Sequence, residues 1–200
     1  MYTVSRQQLP PLNSEHPLSP YCANVYNDVA FSYSINPTDR LLKVVKDKEN
    51  AIGVFITVIS APGNFEKRRR IRETWARSMN SGSFVMNNIF INYSFFVGST
   101  TNVEFQNKIT EESLFNGDII QVDLSDAYVN LTKKTVALLH WAQNYCNNDS
   151  IDFILKTDDD VFVNVYNFVE TVQTLSPETK AVYGYGMENR KPVRVAGTIN

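Results

Sequence analysis

Hydrophobic and polar positions along the chain fall into an alternating series. IGVFITVIS (residues 52–60) is an uncharged, β-branched and aromatic run that predicts a strand. FEKRRRIRETWARSM (65–79) has helical spacing, and NNIFINYSFFVG (87–98) predicts a second strand. A polar helical stretch over about 103–114 follows, then a strand at DIIQVDL (118–124) and a helix from about Asn130 to Cys146. The apolar run IDFILK (151–156), a further helical segment and a strand-like AVYGYG (181–186) complete the series. Strands alternating with helices predict an α/β sandwich around a mainly parallel sheet. In such sheets ligands bind at the carboxyl ends of the strands.

Residues 1–50 differ. They hold five of the eight prolines, many polar residues and no sustained periodicity, which predicts a stem-like, loosely packed extension with the compact domain starting near Ala51. With 43% hydrophobic and 12% aromatic residues, the remainder has a folding composition. Nineteen basic residues against 21 acidic ones leave no phosphate-neutralising excess, so nucleic acid is a poor partner. The longest uncharged run, residues 51–63, contains two glycines and a proline and is short of the roughly 20 residues a membrane span needs. The N-terminus lacks a signal-peptide pattern. Asn92, Asn130 and Asn148 each open a glycosylation tripeptide, and Cys22 and Cys146 are either a disulfide or free thiols.

The chemistry concentrates in KTDDDVFVN (156–164). Three adjacent carboxylates, Asp158, Asp159 and Asp160, need either open water or a cation, and a hard ion such as Mn²⁺ or Mg²⁺ takes oxygen ligands while leaving positions for diphosphate oxygens. In extended backbone Asp158 and Asp160 point one way and Asp159 the other. A solvated acidic turn is the plain alternative, and the return of VFV directly afterwards counts against it. On the arginine-rich helix, Ile71, Trp75 and Met79 form an apolar stripe with Arg68 and Arg72 beside it. Arg69, Arg70 and Glu73 face water, and Glu73 is at pairing distance from Arg77. On the helix from Asn130, Leu131, Leu138, Ala142 and Tyr145 make the predicted buried face, with Lys134 inside that arc and Lys133 outside. Lys134 is either an anion partner near a helix start or a lysine that snorkels to water. Trp75 and Trp141 read as core. His16 and His140 have no second ligand at zinc spacing, and no Ser-His-Asp set can be assembled. No GxGxxG or GxxxxGK[ST] loop is present.

Four motifs occur in order: R-x-x-IRETW from Arg68 to Trp75, Phe95-x-x-Gly98, the stretch from Glu112 to Thr135 that contains GDIIQVDLSDAYVNLTKKT, and KTDDDVFVN. Together they resemble the β-1,3-galactosyltransferase family, which includes β-1,3-N-acetylglucosaminyltransferases, over residues 51–200. Tyr183-Gly184 and KPVR (191–194) resemble the family's next segment, whereas VAGTIN (195–200) departs from it. The resemblance implies a GT-A fold, and residues 51–200 as its N-terminal, donor-binding part. It also implies a Golgi-lumenal enzyme with a type II anchor ahead of a stem, and an anchor is not found in this chain. The implied reaction transfers galactose or N-acetylglucosamine from a UDP-sugar, with inversion, to a glycoprotein or glycolipid acceptor. On that basis Asp160 and Asp158 are expected to hold Mn²⁺, or Mg²⁺, and Asp158 and Asp159 to hold the donor. Arg72, Arg68 and Lys134 are expected to bind the donor or shape its site, and the catalytic base is expected beyond residue 200. A truncated, nucleotide-binding module without transfer is the alternative. A DxD phosphohydrolase is a distant one, because Asp158-x-Asp160-Val161 lies late in the chain and is followed by Phe162.

Overall fold

The computed structural model describes residues 30–42, 51–79, 84–146, 151–176 and 181–184. The chain divides into two units, residues 31–179 and a second comprising 1–30 with 180–200. Of the second, the described residues 181–184 are irregular and exposed, so AVYGYG forms no strand there, and Tyr185 and Gly186 lie outside the described residues.

Among the described residues, the first unit is built on a six-stranded sheet in the order β1-β5-β4-β2-β6, with β3 also paired to β4. The strands are β1 (Tyr33–Ile35), β2 (Ile52–Ser60), β3 (Phe84–Met86), β4 (Ile89–Ser99), β5 (Ile119–Ser125) and β6 (Phe153–Asp158). β2, β4, β5 and β6 are mutually parallel, and β1 and β3 run antiparallel to their partners. The helices are α1 (Thr38–Leu41), α2 (Phe65–Glu73), α3 (Val103–Asn116), α4 (Leu131–Tyr145) and α5 (Val165–Gln173). A continuous apolar run suits the centre of a parallel sheet covered on both faces, and β2 and β4 are buried along nearly their whole length.

One face of the sheet, carrying Val54, Ile56, Val58, Tyr93 and Phe95, is closed by Ile71, Ile109, Val165 and Val169 from α2, α3 and α5. The other, carrying Phe55, Phe96, Ile120 and Val122, is closed by Leu41 of α1 and by Ala137, Leu138 and Trp141 of α4. This split follows from connection handedness. β2, β4 and β5 step across the sheet in one direction with α2 and α3 on one face, and the return to β6 on the far side of β2 takes α4 over the opposite face. Strand order therefore reverses between β2 and β6, where an α/β sheet opens a crevice at its carboxyl edge.

Helix ends explain several local details. Asn102 and Asn164 cap α3 and α5 by accepting from the amides of Phe105 and Asn167, and α3 ends on Gly117 in the left-handed conformation at φ 66°. α2 stops at Glu73 instead of running to Met79; the chain turns at Thr74 and continues as a short 3₁₀ turn, Arg77–Met79. Glu73 therefore pairs back to Arg69 at 2.7 Å, not forward to Arg77, and Arg70 pairs with Glu66 at 2.9 Å. The unwound turn seats Trp75 in the core beside Tyr93.

Two further expectations are corrected. On α4, Leu131 and Tyr145 lie at the surface, and the buried positions are Lys134, Ala137, Leu138, Trp141 and Ala142, because the stripe turns toward Phe55, on which Trp141 stacks with ring centroids 5.3 Å apart. The packed unit also begins before Ala51. β1 pairs with β5, Trp141 Nε1 donates to Asn36 Oδ1 at 2.9 Å, and Leu41 is buried, so residues 31–42 of the supposed extension belong to the sheet. Three strand residues are too few to show a period.

Candidate functional site

The acidic triplet lies at the strand-order reversal. Ile59 of β2 stands beside Asp158 of β6, and the Asp159 amide donates to the Ile59 carbonyl at 3.1 Å. The three carboxylates fall in different environments, with β6 ending at Asp158, and Asp159 and Asp160 in the turn that follows. Asp158 and Asp160 are open to solvent, their side chains 58% and 70% exposed, whereas that of Asp159 is 7% exposed. Asp159 Oδ2 accepts from Ser60 Oγ at 2.8 Å and from Asn64 Nδ2 at 2.7 Å, and Oδ1 accepts from Lys67 Nζ at 2.9 Å. Asn64 occupies the N-cap position of α2 without capping it, since its side chain is turned to Asp159. Burial pushes the Asp159 carboxyl up, but the bonds from Lys67, Asn64 and Ser60 outweigh it and hold the group below the usual carboxylate range. Lys67 also stands 3.8 Å from Asp160 Oδ2, and Lys156 lies 3.3 Å from Asp158 Oδ1.

Arg68 anchors the loop after β2, and Arg72 ties α2 to α3 and to the start of β5. Arg68 is fully buried. Its Nε and Nη2 meet the Glu112 carboxylate, Nη1 donates to Ser60 Oγ and the Ala61 carbonyl, and Nη2 also reaches the Pro62 carbonyl. Arg72 lies 2.6 Å from Glu112 Oε1, donates to both oxygens of Asp118, and packs over the Phe95 ring. Burial would lower the Arg72 pKa, but Asp118 and Glu112 outweigh it and raise it. Among the described residues both guanidinium groups face protein partners; neither presents an open fork to the crevice.

Lys134 joins the other strand ends. Its buried Nζ donates to the Ser60 carbonyl at 2.7 Å and to Asp126 Oδ2 at 2.6 Å, and the same oxygen accepts from the Gly98 amide at 3.0 Å. Burial lowers the Lys134 pKa despite the Asp126 bond. Gly98, the last residue of Phe95-x-x-Gly98, permits this approach, because a Cβ there would stand 2.7 Å from the Leu124 carbonyl oxygen.

The partners Ser60, Asn64, Lys67, Glu112, Asp118 and Asp126 escaped the sequence reading. Only the alternation of Asp158, Asp159 and Asp160 hinted that the middle carboxylate must find partners inside. Of the glycosylation tripeptides, Asn92 is buried in β4 with its amide donating to the Leu41 carbonyl at 2.8 Å, Asn130 donates to the Ser125 carbonyl, and Asn148 lies outside the described residues. Cys146 is half-buried, and Cys22 lies outside the described residues. Among the described residues no helix is long and apolar enough to cross a membrane.

A divalent ion is testable against this geometry. No three acidic, His or Cys side chains converge among the described residues, so no complete protein cage exists there. Asp159 is committed to protein donors. Asp158 and Asp160 remain as two exposed, hard oxygen donors, the ligand count and type with which Mg²⁺-like ions bind when phosphate oxygens and water fill the other positions. By donor type these two side chains suit such an ion, with its other positions left to other ligands.

The fold and site define an α/β protein with a cluster of charged and polar side chains at its sheet's carboxyl edge. The family model described as Galactosyltransferase matches residues 66–198, and the chain belongs to that family. It is 33% identical over 149 residues to a mouse acetylgalactosaminyl-O-glycosyl-glycoprotein β-1,3-N-acetylglucosaminyltransferase, covering 73% of this chain and 38% of the relative. It is 32% identical over 160 residues to human N-acetyllactosaminide β-1,3-N-acetylglucosaminyltransferase 3, covering 77% and 41%. To human β-1,3-galactosyltransferase 5 it is 27% identical over 176 residues, covering 88% and 54%. The chain thus spans about two fifths to just over half the length of these relatives.

Proposed function

We propose that this chain provides the donor-binding part of a hexosyltransferase that moves galactose or N-acetylglucosamine from a UDP-sugar to a glycan hydroxyl, forming a β-1,3 linkage with inversion. The observation that carries the reading is the outward pair Asp158 and Asp160 at the β2/β6 reversal, in a chain of the galactosyltransferase family. Asp160 foremost and Asp158 beside it would hold Mn²⁺ or Mg²⁺. That ion, when bound, would neutralise charge on the diphosphate leaving group. Asp159 orients the segment, and Lys67, half exposed next to it, adds a positive charge where phosphate oxygens would lie. Arg68 and Lys134 fix Ser60 and so shape the crevice floor, and Arg72 holds α2 to the sheet through Asp118. No described residue is assigned as base. We place the protein on the lumenal side of the Golgi membrane, acting on glycoprotein or glycolipid, by family alone.

The test is calorimetric titration of UDP into the purified chain with Mn²⁺ and then with EDTA. Binding that requires the metal supports the reading. A folded chain that binds UDP equally in EDTA overturns the metal assignment. Metal-dependent binding without transfer from a UDP-sugar to any β-linked acceptor reduces the proposal to a nucleotide-binding module.

A further inference from the structure

We infer that Glu112 of α3 is a positioning residue for the acidic triplet, acting through Arg68 and Ser60. The inference rests on the donor-site reading above and adds the chain of contacts that sets the site's geometry.

Hydrogen-bond polarity sets the direction of these contacts. Arg68 has five N–H groups and no route to water. Two are taken by Glu112, through Nε to Oε1 at 3.0 Å and Nη2 to Oε2 at 2.7 Å. Nη2 spends its second on the Pro62 carbonyl at 3.2 Å, and Nη1 spends its pair on the Ala61 carbonyl at 2.7 Å and Ser60 Oγ at 3.0 Å. A serine hydroxyl that accepts from a guanidinium must send its own proton elsewhere. For Ser60 the choices are Asp159 Oδ2 at 2.8 Å and the Ala61 carbonyl at 3.4 Å, and the shorter bond to the charged acceptor prevails. The relay therefore runs one way, from Arg68 to Ser60 to Asp159, and each bond polarises the next.

Glu112 makes this direction possible. It is the carboxylate that meets Arg68, and it also meets Arg72, so one side chain fixes the two inward arginines of α2. With its charge removed, the Arg68 guanidinium would be buried with its nearest compensation gone and would be drawn toward Asp159, one hydroxyl away. Asp159 would then turn, and Asp158 and Asp160, which flank it on the same backbone, would turn with it. Glu112 touches neither donor nor ion; its contribution is to keep the two outward carboxylates in register.

The experiment is calorimetric titration of UDP, in the presence of Mn²⁺, into the full chain and its Glu112→Gln, Ser60→Ala and doubly substituted forms, each with a thermal unfolding curve. Glu73→Gln, which cuts an exposed ion pair on α2, the helix that carries Arg68, is the control. Outer-shell partners of a metal site typically contribute about 10- to 100-fold in affinity, so each single change is expected to weaken metal-dependent binding at least about tenfold. If Glu112 acts through Ser60, the double variant binds no worse than the weaker single one. Unchanged affinity in folded Glu112→Gln, or losses that multiply in the double variant, overturns the relay. Should Glu112→Gln fail to fold, Glu112→Asp keeps the charge on a shorter arm and is expected to show an intermediate loss; unchanged affinity there overturns the relay equally. Unchanged variants beside a wild type that binds overturn the relay alone, whereas a folded wild type without metal-dependent binding overturns the donor-site reading on which it stands.

Discussion

Arg72 holds Asp118 through two parallel contacts, Nε to Oδ2 at 2.7 Å and Nη2 to Oδ1 at 2.9 Å. The pair ties α2 to the start of β5, and the guanidinium carbon lies 4.7 Å from the centre of the Phe95 ring. A lysine has one ammonium and no planar face, so it reproduces neither the fork nor the stacking. Arg72→Lys is expected to lower stability, and Arg72→Met, which leaves the buried Asp118 without its guanidinium partner and Glu112 with Arg68 alone, to lower it by about 3–5 kcal/mol. Urea unfolding of the two variants checks the order.

The three aspartates are expected to separate by phenotype. Asp160→Asn removes a ligand charge from an exposed site and should abolish Mn²⁺-dependent UDP binding with an unchanged melting temperature. Asp159→Asn breaks a buried acceptor of three bonds and should cost about 1–3 kcal/mol of stability as well. Equal losses of stability in both would contradict the inward and outward assignment.

Gly98→Ala places a methyl group 2.7 Å from the Leu124 carbonyl oxygen and 2.9 Å from Asp126. Backbone cannot yield cheaply there, so the variant is expected to lose about 1–3 kcal/mol. It should also push Asp126 away from Lys134. Denaturant midpoints with and without Asp126→Asn test the coupling: the double variant should be less destabilised than the sum of the two.

Asn92 opens a glycosylation tripeptide, yet it is central in β4 and its amide is spent on the Leu41 carbonyl. A glycan there is incompatible with the fold. Mass spectrometry of the chain secreted from a glycosylating host, before and after enzymatic deglycosylation, should find Asn92 unmodified.

Burial pushes the Cys146 thiol up to about 11. The folded state then holds this proton at pH values where the unfolded chain has released it, so the associated stability is complete below the ordinary thiol range. It is lost as pH rises through that range toward about 11. Cys146→Ala should therefore lose less stability than wild type between about pH 8 and about pH 11. Urea midpoints at the two ends give the comparison.

The continuous apolar runs of β2 and β4 were legible because strand periodicity is local, whereas the different surroundings of Asp158, Asp159 and Asp160 arise in the turn after β6. The burial of Ile71, Trp75 and Met79 was legible, but not the end of the arginine helix at Glu73, where no glycine or proline marks the stop. The partners of Asp159 lie 92 to 99 residues away, and no spacing rule links Ser60, Asn64 or Lys67 to β6. Lys134 was placed on the inner side of α4, but its partners, the Ser60 carbonyl and Asp126, come from how two strand ends meet. Fold is written in repeated local pattern, whereas the site depends on contacts between distant turns.

The reversal of strand order has a consequence for how the molecule is made. β6 docks beside β2 only after β4, α3, β5 and α4 have been synthesised, so the crevice closes at the end of a long loop. On a ribosome that emits the chain from its N-terminus, Ser60, Asn64, Lys67 and the Arg68–Glu112 pair are all outside before Asp159 appears. A nascent chain carrying this sheet would thus wait, with the flank of β2 uncovered, for the strand that brings both its neighbour and the site's carboxylates.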